Sequence, residues 1–402
     1  MFRRVIAKSE GDCKNSPSLA EFLREEIART GPVSCARFME VALYHPELGY
    51  YERDRTVVGQ RGDFYTSVSV GELFGQLLAY QFAEWLEELQ VRNADHGIPD
   101  APLQIVEAGA HDGQLAEDIL LWLQKRRPDL WGRVEYWLLD PSPRRQEWQR
   151  GRLSMFAPRV RWFANWGEIQ AAGGVTGIIF ANELLDAFPV HRLAWSAAEQ
   201  RWVEWGVRVA GDRFIWVRLP ELHPNVAELA QPAAVFGTLH ESLRESAWAN
   251  LAAVLPEGFI LERTPFAELW WKIAAQSLRQ GKLLTFDYGH AVGEMINPTK
   301  PAGTLRAYRD HQLVPDILAE PGEQDITAHV NFAGITHGGE SAGLATVELT
   351  EQSRFLSRAA QRTMRQPAVF GEWTRERARQ FQTLTHPDHL GRSFSVLVQE
   401  RA

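Results

Sequence analysis

The chain has only two cysteines, Cys13 and Cys35, in 402 residues. That excludes a disulfide scaffold, and their spacing matches no zinc ligand set, so both read as ordinary thiols and no metal is expected. Long apolar runs are missing too. None approaches the roughly 20 residues of a membrane helix, so no membrane insertion is expected. The opening stretch MFRRVIAKSEGD has two arginines but no apolar signal-peptide core, which makes a cytoplasmic location the default expectation. Positive charge is not in excess: 43 Lys and Arg face 51 Asp and Glu, for a formal net charge of -8. This argues against a nucleic-acid partner, because phosphate neutralisation needs a concentrated basic surface. An acidic protein could attract a cationic substrate, although a solvated acidic surface explains the balance equally well. Repeats and extended low-complexity segments are absent. One glycine is absent as well: QIVEAGAHDGQL (104–115) turns through Gly109 and Gly113 but has His111 in place of the middle glycine usual in a nucleotide-binding turn.

What is present is material for a large core, with 45% hydrophobic residues, 15 Trp and 20 Phe. SPSLAEFLREEIART and VSCARFMEVALYHP read as capped helices, and GELFGQLLAYQFAEWLEELQ as a long amphipathic one, with the best linker from Asn93 to Pro102. From Leu103 onward short apolar strands alternate with helices. LQIVEA precedes QLAEDILLWLQKRR, VEYWLLD precedes RRQEWQRGRL, VRWF precedes GEIQAA, and TGIIFANE leads into LLDAF. AELWWKIAAQSLRQG and KLLTFDYG add a further pair. Such alternation predicts an α/β fold with a parallel sheet covered on both faces. Between Val190 and Leu219 the rhythm changes to period two with a hairpin signal at AGD, an inserted antiparallel element. SFSVLVQE (393–400) supplies a last strand that completes the sheet.

The strand before the glycine turn ends in Glu107. An acid there would repel the pyrophosphate of a dinucleotide but attract an ammonium or sulfonium group, which favours S-adenosylmethionine over NAD. The next strand ends in Asp140, where a carboxylate can accept hydrogen bonds from both ribose hydroxyls. After the third strand, Asn165 and Trp166 are candidates for the edge and face of an adenine. After the fourth, Asn182 and Glu183 can point toward a transferred methyl group, with Asp186 one helical turn further. Carboxylates placed there could grip a guanidinium or ammonium and orient its nitrogen. The competing reading of the same acids is a favourable interaction with a helix dipole.

These residues lie within a wider pattern. FMEVALYHPELGYY (38–51), GDFYTS (62–67), LFGQ (73–76), NELLDAFPV (182–190), FDYG (286–289) and GTLRAYRDHQLVPDILAEPGEQDITAHVNF (303–332) occur in this order. With them the chain resembles the MidA family of methyltransferases from about Ser18 to Val398. Mitochondrial members of that family methylate an arginine on a core subunit of respiratory complex I during its assembly. The resemblance implies a class I methyltransferase, Rossmann-like sheet of seven strands, mostly parallel with one antiparallel strand, plus an N-terminal helical extension and inserted antiparallel and helical elements. It divides the chain into an N-terminal helical region with a cofactor-covering loop (1–92), a core (103–290) with an insertion at about 190–256, and a C-terminal substrate-site segment with the final sheet strands (291–402).

By position, Glu107, Gly109 and Gly113 match the family's cofactor turn, with His111 in the place of its middle glycine and counted with them as cofactor-binding, and Asp140 matches its ribose acid. Gly62, Asp63 and Thr66 match a loop expected to cover the site, and Glu183 and Asp186 the acids after the fourth strand. The last block supplies Arg306, His311, Asp325, Thr327 and His329, of which His311 and Asp325, with Asp63, are candidates to position or deprotonate a substrate. Because DITAHVNF alternates like an edge strand, some of these side chains must face opposite ways. The chain departs from the family where the turn usually reads EIGPGRG and here reads EAGAHDG, at Val68-Ser69 in place of Pro-Glu, and at Gln76 in place of Glu. The leading expectation is therefore an S-adenosylmethionine-dependent methyltransferase acting on a protein arginine, with a respiratory complex subunit as partner and a homodimer left open. The alternatives are a noncatalytic assembly protein that keeps the fold, and an NAD-dependent oxidoreductase.

Overall fold

The computed structural model describes residues 18–52, 66–95, 102–228, 241–290, 300–310, 312–387, 389–391 and 394–402. The chain forms two compact units, one of 1–54, 189–263 and 298–326, the other of 55–188, 264–297 and 327–402.

In the first unit, helix Leu19–Thr30 starts at a reciprocal cap: the Ser18 hydroxyl accepts from Glu21 N–H while the Glu21 carboxylate accepts from Ser18 N–H. Strand β1 (Val33–Ser34) follows and leads into helix Cys35–Tyr44. Cys35 is buried and free, and burial pushes its thiol up to about 12. The period-two segment forms β6 (His191–Ser196), β7 (Arg201–Ala210) and β8 (Arg213–Arg218), joined by β1 and β9 (Ile260–Arg263) into a five-stranded sheet whose neighbouring strands run antiparallel. Strands β11 (Arg306–Arg309), β12 (Gln312–Val314) and β13 (Asp325–Thr327) make a small third sheet.

The second unit holds the sheet that positions the site. Its strands are β2 (Leu103–Ala108), β3 (Val134–Leu139), β4 (Val160–Phe163), β5 (Val175–Asn182), β10 (Leu278–His290), β14 (Val330–Asn331), β15 (Ala345–Glu351) and β16 (Phe394–Arg401). The order is β15-β16-β10-β5-β2-β3-β4, with β14 beside the end of β10. All pairs are parallel except those of β16, which runs against both its neighbours. The sheet therefore has eight strands, not the expected seven. The extra one is two residues long, too short to show a period, and DITAHVNF divides into β13 and β14 instead of forming one edge strand.

β2 is buried along its whole length, as an apolar run between two helical layers requires. Alternate residues feed opposite faces: Leu103 and Ile105 join the core under helices Leu73–Asp95, Gln114–Arg126 and Gln352–Arg365, and Val106 and Ala108 the core under Trp166–Ala171, Pro265–Ser277 and Phe332–Ser341. Among the described residues no helix is long and apolar enough to cross a membrane. One expected helix is missing: LLDAF forms a turn. Glu183 takes a left-handed backbone with φ 50°, and the buried Asp287 carboxylate accepts from the N–H groups of Leu184 (3.2 Å) and Leu185 (2.8 Å).

Candidate active site

The tips of β2, β3 and β5 converge on the start of helix Gln114–Arg126. The turn before that helix needs backbone that only glycine adopts easily: Gly109 has φ 74° and Gly113 φ 89°. A side chain at Gly109 would also meet Leu184 at 2.7 Å. His111 stands between them, itself left-handed at φ 46°, with its ring 6.1 Å from that of Trp148. Asp112 accepts from Gln114 N–H at 3.1 Å, and Arg152 reaches back to Asp112 (2.6 Å), Glu117 (2.9 Å) and Gln114 (2.6 Å). Burial alone would raise Asp112, but His111 and Arg152 outweigh it and hold the carboxyl well below its ordinary value. The departure from the family turn is thus a built arrangement, in which an acid accepts from the first turn of the helix and an arginine from helix Pro143–Arg152 fastens it.

Glu107, last but one in β2, is buried and accepts a short hydrogen bond from the Tyr136 hydroxyl of β3. Burial pushes its carboxyl up to about 8 against the opposing pull of Tyr136, and the neighbouring charges of Asp112 and Asp118 add to the rise. Asp118 is raised to about 7, again chiefly by burial. Asp140 follows β3 and is held by many donors. Its carboxylate accepts from Ser142 N–H, from Arg145 and from the Gln149 amide, which also donates to His111 O at 3.0 Å.

Asn165 caps helix Trp166–Ala171, accepting from Glu168 N–H at 3.1 Å, and Trp166 is buried against Trp270 with ring centroids 5.2 Å apart. At the end of β5, the Asn182 amide donates to Glu183 at 3.2 Å, while Asn182 Oδ1 is buried and accepts no hydrogen bond among the described residues. The Glu183 carboxylate also accepts from Ser67 N–H at 3.0 Å. Ser67 belongs to a turn closed by mutual hydrogen bonds between Thr66 and Ser69, so the loop meets the acid after β5 directly. Asp186 is buried, and its carbonyl accepts from Ala328 N–H at 2.9 Å. Asp287, from the FDYG block, had no role in the sequence reading. Burial raises it to about 7, opposed by the backbone N–H groups of residues 184–186 and 288 that it holds.

Asp325 and Arg306 lie in the first unit, where the Tyr51 hydroxyl donates to Asp325 at 2.6 Å and Arg306 donates to Leu305 O at 2.7 Å. Thr327 ends β13, and His329 lies just before β14. Gly62, Asp63 and His311 lie outside the described residues.

The second unit therefore offers a glycine turn at a helix start, a buried carboxyl that only a cationic neighbour would ionise near neutrality, and an amide oxygen in want of a donor. These features fit a positively charged amino-acid moiety attached to a nucleoside, and with a mostly parallel sheet they define a methyltransferase of the α/β class. A family model for S-adenosyl-L-methionine-dependent methyltransferases matches residues 77–350. A Drosophila melanogaster relative, "Protein arginine methyltransferase NDUFAF7 homolog, mitochondrial", is 30% identical over 85% of this chain and 74% of its own length. The Homo sapiens protein arginine methyltransferase NDUFAF7, mitochondrial, is 29% identical over 77% of this chain and 66% of its own. A Burkholderia thailandensis protein crystallised bound to S-adenosyl-homocysteine superimposes with a TM-score of 0.74 at 29% identity, covering 95% of this chain and 92% of that one.

The chain belongs to this S-adenosyl-L-methionine-dependent methyltransferase family, the one it resembles in sequence as MidA. It is an enzyme with S-adenosylmethionine as its cofactor, which sets aside the noncatalytic and NAD-dependent alternatives. The expected cytoplasmic location is corrected: the animal relatives are named as mitochondrial proteins.

Proposed function

We propose that the enzyme methylates arginine side chains of a protein. The observation that carries this reading is the set of relatives named protein arginine methyltransferases, aligned over most of the chain. The acids after β5 support it, since a guanidinium is best held by carboxylates in a fixed orientation. When bound, S-adenosylmethionine supplies an electrophilic methyl group. Glu107 would face its cationic amino-acid end, Asp140 would take the ribose hydroxyls, and Asn165 and Trp166 would lie toward the adenine. Glu183, fastened to the turn at Ser67, and Asp186 hold the guanidinium and align one nitrogen for in-line attack. Asp63, His311 and Asp325 are kept as candidates to position a substrate or take its proton.

The protein class proposed as substrate is a respiratory complex subunit, with complex I assembly as the setting. The seven strands of the continuous path are proposed as the class I sheet, with β14 an addition, and the three-part division at 1–92, 103–290 and 291–402 as its functional layout. A homodimer is the proposed state, checked by light scattering. Labelled methyl transfer from the cofactor into a mitochondrial extract, followed by mass spectrometry, tests the reaction. Methylarginine in a protein is the expected product. Label confined to lipids, small molecules or lysine would overturn the proposal.

A further inference from the structure

We propose that Arg145 is a displaceable counter-ion that competes with the ribose of the cofactor for Asp140, so that the opening of this ion pair sets cofactor affinity. The inference rests on the proposed role of Asp140 as the ribose acid. It starts from the number of hydrogen bonds that Asp140 already accepts.

Asp140 Oδ1 accepts from Ser142 N–H at 3.0 Å and from Arg145 Nε at 3.0 Å, and Arg145 Nη2 forms an ion pair with it at 2.9 Å. Oδ2 accepts from Gln149 Nε2 at 3.0 Å and shares Arg145 Nε at 3.0 Å. A carboxylate has about four acceptor positions. The backbone donor, the amide and the two guanidinium nitrogens fill them, and the side chain is 1% exposed. Two ribose hydroxyls cannot be accepted in addition; a present donor has to leave.

The three donor groups differ in how readily they can leave. Ser142 N–H is backbone at the cap of helix Pro143–Arg152, where the Ser142 hydroxyl also accepts from Arg145 N–H at 3.2 Å. Gln149 is fully buried, and its amide nitrogen bridges Asp140 to His111 O in the glycine turn, so its departure would release both. Arg145 alone combines a long flexible stem with a side chain that keeps 10% exposure. Guanidinium is also the most weakly hydrated of the cationic groups, so it stays near apolar or polar surface when displaced. Moreover, Gln149 Oε1 is buried with no hydrogen-bond partner among the described residues. The residue that shares Asp140 with Arg145 thus has an acceptor to spare, which an entering hydroxyl would satisfy.

A cofactor that binds only when the pair is open has its affinity reduced by the open fraction. Removing the guanidinium should remove that reduction. The experiment titrates the full-length chain with S-adenosyl-homocysteine by calorimetry and follows association by stopped flow, for the wild type, Arg145→Leu, Arg145→Lys and Asp140→Asn. Arg145→Leu is expected to tighten binding by about tenfold, through faster association with dissociation changed less than about twofold. Arg145→Lys, which keeps a charge but loses the fork, should fall between wild type and Arg145→Leu, and serves alone if the leucine variant does not fold. Unchanged affinity, weaker binding or faster dissociation in the Arg145 variants would overturn the proposal and make Arg145 a support for Asp140. Wild-type affinity in Asp140→Asn would instead bring down the ribose role itself, a different failure from the first.

Discussion

The tips of β2 and β3 carry one carboxylate each on adjacent strands, and the chain treats them in opposite ways. Glu107 is buried, accepts from the Tyr136 hydroxyl, and has its carboxyl pushed up to about 8 by burial. Asp140 is buried as deeply but is surrounded by donors, including a guanidinium. The first is neutral near pH 7 until a cation arrives. The second already has a cation, the Arg145 guanidinium, against it. Depth of burial therefore does not decide how a strand-tip acid behaves; the donors around it do. One tip is prepared to gain a positive ligand and the other to exchange its partner.

The largest test of this contrast is Asp140→Ala. Losing charge-assisted hydrogen bonds at about 1.5–3 kcal/mol each should weaken S-adenosylmethionine binding by roughly a hundredfold, measured by calorimetry. It would also leave Arg145 without its counter-ion, so a fall in melting temperature is expected in the same variant.

The next concerns pH. Glu107, Asp118 and Asp287 have values of about 8, 7 and 7 in the folded chain against ordinary values of 4.5, 3.8 and 3.8. The folded state then binds more protons than the unfolded one, and stability falls as pH rises from about 4 to about 8. Melting temperature of the ligand-free protein should drop by several degrees across that window and level off above it. Saturation with S-adenosylmethionine should flatten the slope, because the bound cation ionises Glu107 in the folded state. An upward slope would contradict the assignment.

A smaller effect is expected from Tyr136→Phe. The hydroxyl holds Glu107 down, so its removal should move the pH midpoint of cofactor binding upward from the wild-type value while leaving the fold intact. The titration of the ligand's own amine cancels in this comparison. A variant with the wild-type midpoint would show that Tyr136 does not touch the charge state of Glu107. Smallest of all is Asn165→Ala, which should cost about 1 kcal/mol of stability in chemical denaturation through the lost helix cap.

Much of the second unit was legible in the sequence because its strands are short apolar runs between well-marked helices, and the strand ends alone put Glu107 and Asp140 at one edge. The inserted antiparallel strands were legible from their period of two and from the AGD turn. What escaped the reading depends on contacts across the sheet. Tyr136 looked like one more apolar strand residue, and Arg145 and Gln149 like the polar face of a helix, since nothing local says that both reach Asp140. LLDAF looked helical because its apolar spacing suits a helix, whereas Glu183 turns left-handed just before it and Asp287, about a hundred residues away, holds the backbone of Leu184 and Leu185. Asn165 and Trp166 were read toward adenine from their place after a strand, and their capping and packing became visible only with helix Trp166–Ala171 in place.

The most direct test of the contrast between the two tips is a crystal structure of this enzyme with S-adenosyl-homocysteine. The account predicts the amino-acid end against Glu107 and the glycine turn, the ribose hydroxyls on Asp140, and the Arg145 guanidinium swung away from it. A ligand seated with its ribose elsewhere while Arg145 still grips Asp140 would contradict it.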